Sequence, residues 1–172
     1  MSLAYRFRQL KENLTAGPLT SEARGSVVAY LSEPEQALFF RFTYADQWHS
    51  YRVFRTLLDA GYNHPDLLVA ALLHDIGKIL SPLSPVDRTM IVVGGVLFPR
   101  RAEQWGDGPA DGWRRPFVAR ACHPVWGAEL AAEAGSRSAV VDLIRRHQTR
   151  LNESTDENDH LLSRLQWADD RN

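Results

Sequence analysis

His74 and Asp75 stand side by side at the end of the chain's most apolar stretch, within Ala70-Ala71-Leu72-Leu73-His74-Asp75-Ile76-Gly77-Lys78. Burying an imidazole next to a carboxylate costs free energy unless both find partners. A divalent cation is one way to satisfy both. The ring nitrogen and a carboxylate oxygen can bind one ion, and the second oxygen can reach another. Lys78 could point a positive charge at whatever binds there. Further donors lie elsewhere: His49 near the start of its own segment, His123, His147, and Asp169 next to Asp170. Each falls on a separate helical segment, so a bundle could gather them around one centre. Taken singly, each of these histidines reads more plainly as a structural or exposed side chain.

The elements that must position these residues are helical. Residues 1–14 place Leu3, Phe7, Leu10 and Leu14 at helical steps, and a second segment covers about 19–31. Ser32-Glu33-Pro34-Glu35 reads as a helix start, with Ser32 as cap, Pro34 in the first turn and acids at the positive end of the dipole. Asp46 is the expected cap of a helix reaching Ala60, closed by a left-handed Gly61. Asn63-His64-Pro65-Asp66 opens the apolar helix, which is expected to end at Gly77 and to lie centrally because it is apolar all round. Residues 86–101 contain Gly94 and Gly95 but keep a helical stripe of Val86, Met90, Val93 and Leu97, so a helix is expected. His123-Pro124 should open a short helix to Ala134. Ser138 should cap a helix over about 139–149, and a last helix covers about 159–170. The fold class is therefore all-α.

Composition narrows the rest. The 172 residues hold 20 Lys plus Arg against 21 Asp plus Glu, so the net charge of −1 gives no general electrostatic case for nucleic acid or an anionic membrane. Cys122 is the single cysteine, which excludes an intrachain disulfide and a multi-cysteine zinc site. The first ten residues lack the apolar core of a secretory signal, and the longest apolar run, Met90 to Phe98, is far short of a bilayer span. A cytoplasmic protein is expected.

The order His49, His74-Asp75, His123, His147, Asp169 resembles the HD-domain superfamily of metal-dependent phosphohydrolases. Ala71 to Lys78 is similar to the superfamily's HDIG-type signature. His123-Pro124-Val125-Trp126-Gly127-Ala128-Glu129-Leu130 resembles its third-histidine segment, and Trp167-Ala168-Asp169 its final-aspartate segment. The resemblance covers about residues 33–172, so residues 32–172 are taken as the HD domain and 1–31 as an N-terminal helical extension.

The resemblance implies a helical bundle with a metal site in its core. His49, His74, Asp75 and Asp169 would hold one ion. Asp75 would bridge to a second, held also by His123 and His147. One or two divalent transition-metal ions are expected, and Fe, Mn, Co, Ni and Zn all suit the donors. The implied reaction is attack of a metal-activated water on phosphorus, with Asp75 and Lys78 as the catalytic residues and Lys78 balancing charge on the phosphoryl oxygens. The expected substrate is a small phosphoester, a nucleotide foremost. Lys78, Arg115 and Arg145 are its candidate contacts, since guanidinium suits bidentate phosphate recognition. For both arginines the plainer reading is a solvated surface. The Gly-Tyr-Pro element of cyclic-di-GMP hydrolases does not follow His147, and the Glu-Asp element of alarmone hydrolases does not follow the His-Asp pair. Two other functions share the pattern: an HD-fold diiron oxygenase, and a metal-binding sensor without catalysis. The sequence leaves the oligomeric state open.

Overall fold

Short polar side chains set where the first helices begin. The computed structural model describes residues 16–151 and 156–172, so the helix expected over 1–14 lies outside the described residues. Helix α1 (Ser21–Tyr30) starts at Thr20, whose hydroxyl accepts from the Ala23 amide. Helix α2 (Glu33–Phe39) starts at Ser32, whose amide and hydroxyl both donate to the Glu35 carboxylate. Helix α3 (Tyr44–Asp59) is capped by Thr43 rather than by Asp46. Asp46 instead sits in the first turn with its side chain buried. Gly61 does adopt the left-handed conformation, at φ 82°.

Helix α4 (Pro65–Leu73) is the centre of the bundle, and every residue from Leu67 to Leu73 is buried. Each large apolar side chain there contributes roughly 1.5–3 kcal/mol by leaving water. The α-helix stops at Leu73, not at Gly77. The chain turns through His74 and Asp75 into a 3-10 helix, Ile76–Leu80. Asp75, in that turn, has a carboxylate oxygen 3.1 Å from His123 Nε2.

Helix α5 (Pro85–Leu97) is helical through both glycines, as its stripe predicts, and begins at a Ser84/Asp87 capping box, but it ends at Leu97 rather than continuing to 101, because Pro99 starts a separate helix. Helix α6 (Pro99–Trp105) and a 3-10 turn, Gly112–Arg114, follow. Helix α7 (Arg115–Glu133) corrects the sequence reading: it starts eight residues before His123 and runs straight through Pro124. Helix α8 (Ser138–Arg146) begins after Arg137, with Ser138 as its first residue rather than its cap, and ends three residues short of expectation. Helix α9 (Glu157–Asp169) starts at the Asp156 cap. No strand occurs among the described residues.

Helices α3, α8 and α9 pack on α4, while α7 lies along the 3-10 helix and α8. Val27 of α1 and Leu31 belong to the same buried cluster as Leu72 and Leu143. Helices α5 and α6 sit outside it: α5 buries only Ile91 and Gly94, and α6 buries nothing. No single helix among the described residues is long and apolar enough to cross a membrane.

Candidate metal centre

The centre forms where five elements meet. Helix α3 contributes His49, the end of α4 and its turn contribute His74 and Asp75, α7 contributes His123, the end of α8 contributes His147, and the end of α9 contributes Asp169. Their donor atoms fall into two groups, His49 with His74 and Asp169, and Asp75 with His123 and His147. Asp75 joins the two. Its Oδ1 lies 3.1 Å from His123 Nε2 and 3.8 Å from His147 Nε2. Its Oδ2 lies 3.5 Å from His74 Nε2 and 3.7 Å from His49 Nε2. Asp169 Oδ1 lies 3.0 Å from His49 Nε2 and 3.6 Å from His74 Nε2.

Three of the rings are held in one tautomer. Nδ1 of His74 lies 2.9 Å from the Ala71 carbonyl, that of His123 2.8 Å from Arg120, and that of His147 2.8 Å from Ile144. A carbonyl oxygen can only accept, so each Nδ1 must carry the hydrogen. Each Nε2 lone pair then faces the centre when the ring is neutral.

Two observations test whether these residues suit a cation. His74 Nε2 is buried with no hydrogen-bond partner, and its nearest carboxylate oxygens lie beyond hydrogen-bond reach. His123 Nε2 and His147 Nε2 lie only 3.2 Å apart. Two inward lone pairs at that distance repel unless a positive charge stands between or beside them. Imidazole nitrogens with carboxylate oxygens are a donor set for divalent transition metals, and the residues fit.

Electrostatics agree. Burial raises the Asp75 pKa, but Lys78, His74 and His123 outweigh it and hold the carboxyl well below its ordinary range. Burial acts the same way on Asp169, and His74 and His49 again prevail. Burial pushes His74 down, yet Asp75 and Asp169 raise it to about 9. Burial and then the charge on His74 push His147 down to about 3. Two carboxylates thus stay ionised, and the proton on His74 is the charge a divalent ion would displace on binding.

The remaining predicted residues divide. Lys78 Nζ donates to Asp75 Oδ2, so its ammonium sits at the centre. Arg115 is not brought there. Its guanidinium donates to Asp87 at 2.5 Å, Ser81 Oγ at 3.1 Å and the Pro82 carbonyl at 2.9 Å, and so braces the loop between the 3-10 helix and α5. Arg145 is exposed and belongs to neither donor group.

Some contributing residues escaped the sequence reading. Gln148 Nε2 lies 3.4 Å from His123 Nε2. Gln166 donates to the His147 carbonyl at 3.0 Å and to Thr149 at 2.7 Å, fixing the turn that carries His147. No sequence signal marks either glutamine. Asp46 reads as a cap, but its carboxylate accepts from Thr43 at 2.7 Å and Arg88 at 2.8 Å. Burial opposes its ionisation, and Arg88, Lys78 and Thr43 overcome that, lowering its pKa.

That pair gives a stability prediction. Arg88→Met strands a buried carboxylate and should cost about 3 kcal/mol at pH 7, the low end for breaking a buried pair, because Arg88 is partly exposed. The folded pKa of Asp46 is depressed, so its contribution is present above the unfolded carboxylate pKa and fades as pH falls through the folded one. Urea unfolding of wild type and variant at pH 7 and pH 3 should show the gap shrinking in acid. An equal gap at both would refute the pairing.

Sequence similarity closes the case for kinship. The HD domain model matches residues 48–171. Neither the curated proteins nor the solved structures give a match. A match over most of the chain, ending in the segment of Asp169, together with an all-α bundle and the gathered histidines and aspartates, means that this chain belongs to the HD domain family.

Proposed function

We infer that this chain is a metal-dependent phosphohydrolase acting on a small phosphoester, a nucleotide foremost. The observation that carries the reading is the shared carboxylate: Asp75 turns one oxygen to His123 and His147 and the other to His49 and His74, with Asp169 beside the latter pair. His49, His74, Asp75 and Asp169 would hold one divalent ion, and Asp75, His123 and His147 a second. When bound, such ions supply Lewis acidity, which stabilises phosphoryl charge and acidifies water. The chain's own residues do the rest. The three Nδ1 hydrogen bonds fix ring orientation before a ligand arrives. Lys78 brings one positive charge to the mouth of the centre and offsets charge on a phosphoryl oxygen. Arg145, exposed on α8, is the remaining candidate for an outer phosphate.

The test is metal analysis of purified protein followed by a panel of phosphomonoesters and phosphodiesters with Mn or Co. Chelator-sensitive phosphate release is the expected result. Bound mixed-valence iron with oxygen consumption and no phosphate release would overturn the reading in favour of an oxygenase.

A further inference from the structure

Helix α5 is apolar on its outer face as well as its inner one. Twelve large hydrophobic side chains are exposed among the described residues, and seven of them, Val86, Val92, Val93, Val96, Leu97, Phe98 and Trp113, lie on α5 or its immediate neighbours. Val96 is 69% exposed. No charged residue occurs from Thr89 to Pro99. Concentrated exposure of this kind marks an interaction surface.

The face has relief. A cavity of about 580 Å³ opens beside α5, walled by Met90, Val93, Phe98, Trp105, Trp113 and Phe117, and no charged side chain lines it. Gly94 lets the Phe117 ring close in, since a Cβ there would lie 2.8 Å from it. Next to this hollow stand Val96 and Leu97, which do not line it. A ridge and a hollow of the same chemistry, side by side, are what an isologous two-fold contact needs, because each copy then offers the knob that fills the other's hole.

We propose that α5 and the aromatic hollow beside it form the two-fold interface of a homodimer. The area is sufficient. Seven partly exposed large side chains and the apolar hollow beside them make a patch on the scale of several hundred Å² that marks interaction surfaces, against about 800 Å² per partner in a standard interface. The charges around it also suit a second copy better than a lipid surface. Both signs occur nearby, with Arg114 over Trp113 and Arg120 beside Gly95 and with Arg100, Arg101, Glu103, Asp107 and Asp111 in the segment that follows α5, so no field of one sign favours anionic headgroups. An antiparallel pairing of α5 with its mate opposes the two helix dipoles and keeps the uncharged stretches together. The proposal does not depend on the reaction assigned to the metal centre.

Sedimentation of the full chain at about 1–50 µM tests it. The expected species has twice the 19.5 kDa of the chain. Val96→Glu alters a side chain already exposed in the monomer. It should raise the dimer dissociation constant by about a hundredfold or more, because each copy would have to bury a carboxylate against the other's apolar hollow. Hydrogen exchange of the wild type provides a second measurement, with amides of 86–98 slowing as concentration rises. A monomer throughout that range, with exchange independent of concentration, overturns the proposal. So does a monomer whose hydrophobic-dye binding rises when residues 1–15 are deleted, because the chain's own N-terminus would then cover the face. Cosedimentation of a monomer with phosphatidylcholine vesicles overturns it in favour of a membrane.

Discussion

Asp75→Ala should abolish stoichiometric metal binding and lower phosphate release by at least about a thousandfold. Losing one charge-stabilising group typically costs a hundred- to a thousandfold, and Asp75 is not one group among equals. It is the carboxylate that all four histidines of the centre reach, at 3.1–3.8 Å. Without it neither donor group keeps its geometry, and Lys78 and His74 face each other with only Asp169 to balance them. The metal-free protein should also lose about 3–5 kcal/mol, the cost of stranding buried charge. Asp75→Asn separates the two effects. It preserves shape, so its helical circular dichroism should match wild type while bound metal and turnover fall. Full metal content with undiminished phosphate release in either variant would refute the role given to Asp75.

Gly77→Ala should be nearly as damaging, for a reason of pure geometry. A Cβ on Gly77 would lie 2.1 Å from the His123 carbonyl oxygen and 2.7 Å from the Gly127 amide nitrogen. Both are backbone atoms of α7, so no rotamer change relieves the clash and the helix itself must move. The expected loss is about 3–5 kcal/mol, or on the order of 10 °C in melting temperature for a domain of this size. His123 moves with α7, so metal affinity should fall as well. Gly95→Ala is the control. Its Cβ would meet only the Arg120 guanidinium at 3.6 Å, and replacing a helical glycine there should be neutral or stabilising by up to about 1 kcal/mol. A thermal melt in which Gly77→Ala matches wild type would show that α7 and the 3-10 helix do not pack as described.

The sequence made the His-Asp pair legible because two polar residues at the end of an otherwise apolar helix carry a cost that needs an explanation. The helix periods were legible too, even through Gly94 and Gly95, because the apolar stripe outweighed a propensity penalty of about 1 kcal/mol per glycine. What escaped was what depends on long-range partners. Asp46 has the residue type of a cap, and only the approach of Arg88 from α5, 42 residues away, shows that it is a buried anion instead. Arg115 looked like a solvated side chain or a phosphate contact because Asp87, its partner, stands 28 residues before it. Gly77 looked like a helix terminator. It never adopts a positive φ, and its lack of a side chain serves the close passage of another backbone. Pro124 looked like a helix start, since proline most often forbids an interior position.

That proline has a further meaning. Residue 124 has no amide hydrogen, so the carbonyl four positions back, that of Arg120, loses its customary helical donor. It is this carbonyl that takes the Nδ1 hydrogen of His123. Ala71 and Ile144, which serve His74 and His147, lie in the last turns of α4 and α8, where carbonyls are spare because the helix has stopped. Each ring is therefore oriented by a vacancy in the main-chain hydrogen-bond ladder, two created by helix ends and the third, in the middle of a nineteen-residue helix, by a proline. The proton inventory of the centre is written into the backbone. Which nitrogen of these three rings is left to face a metal is decided when the helices form, and the ordering cost is met in folding rather than when a ligand arrives.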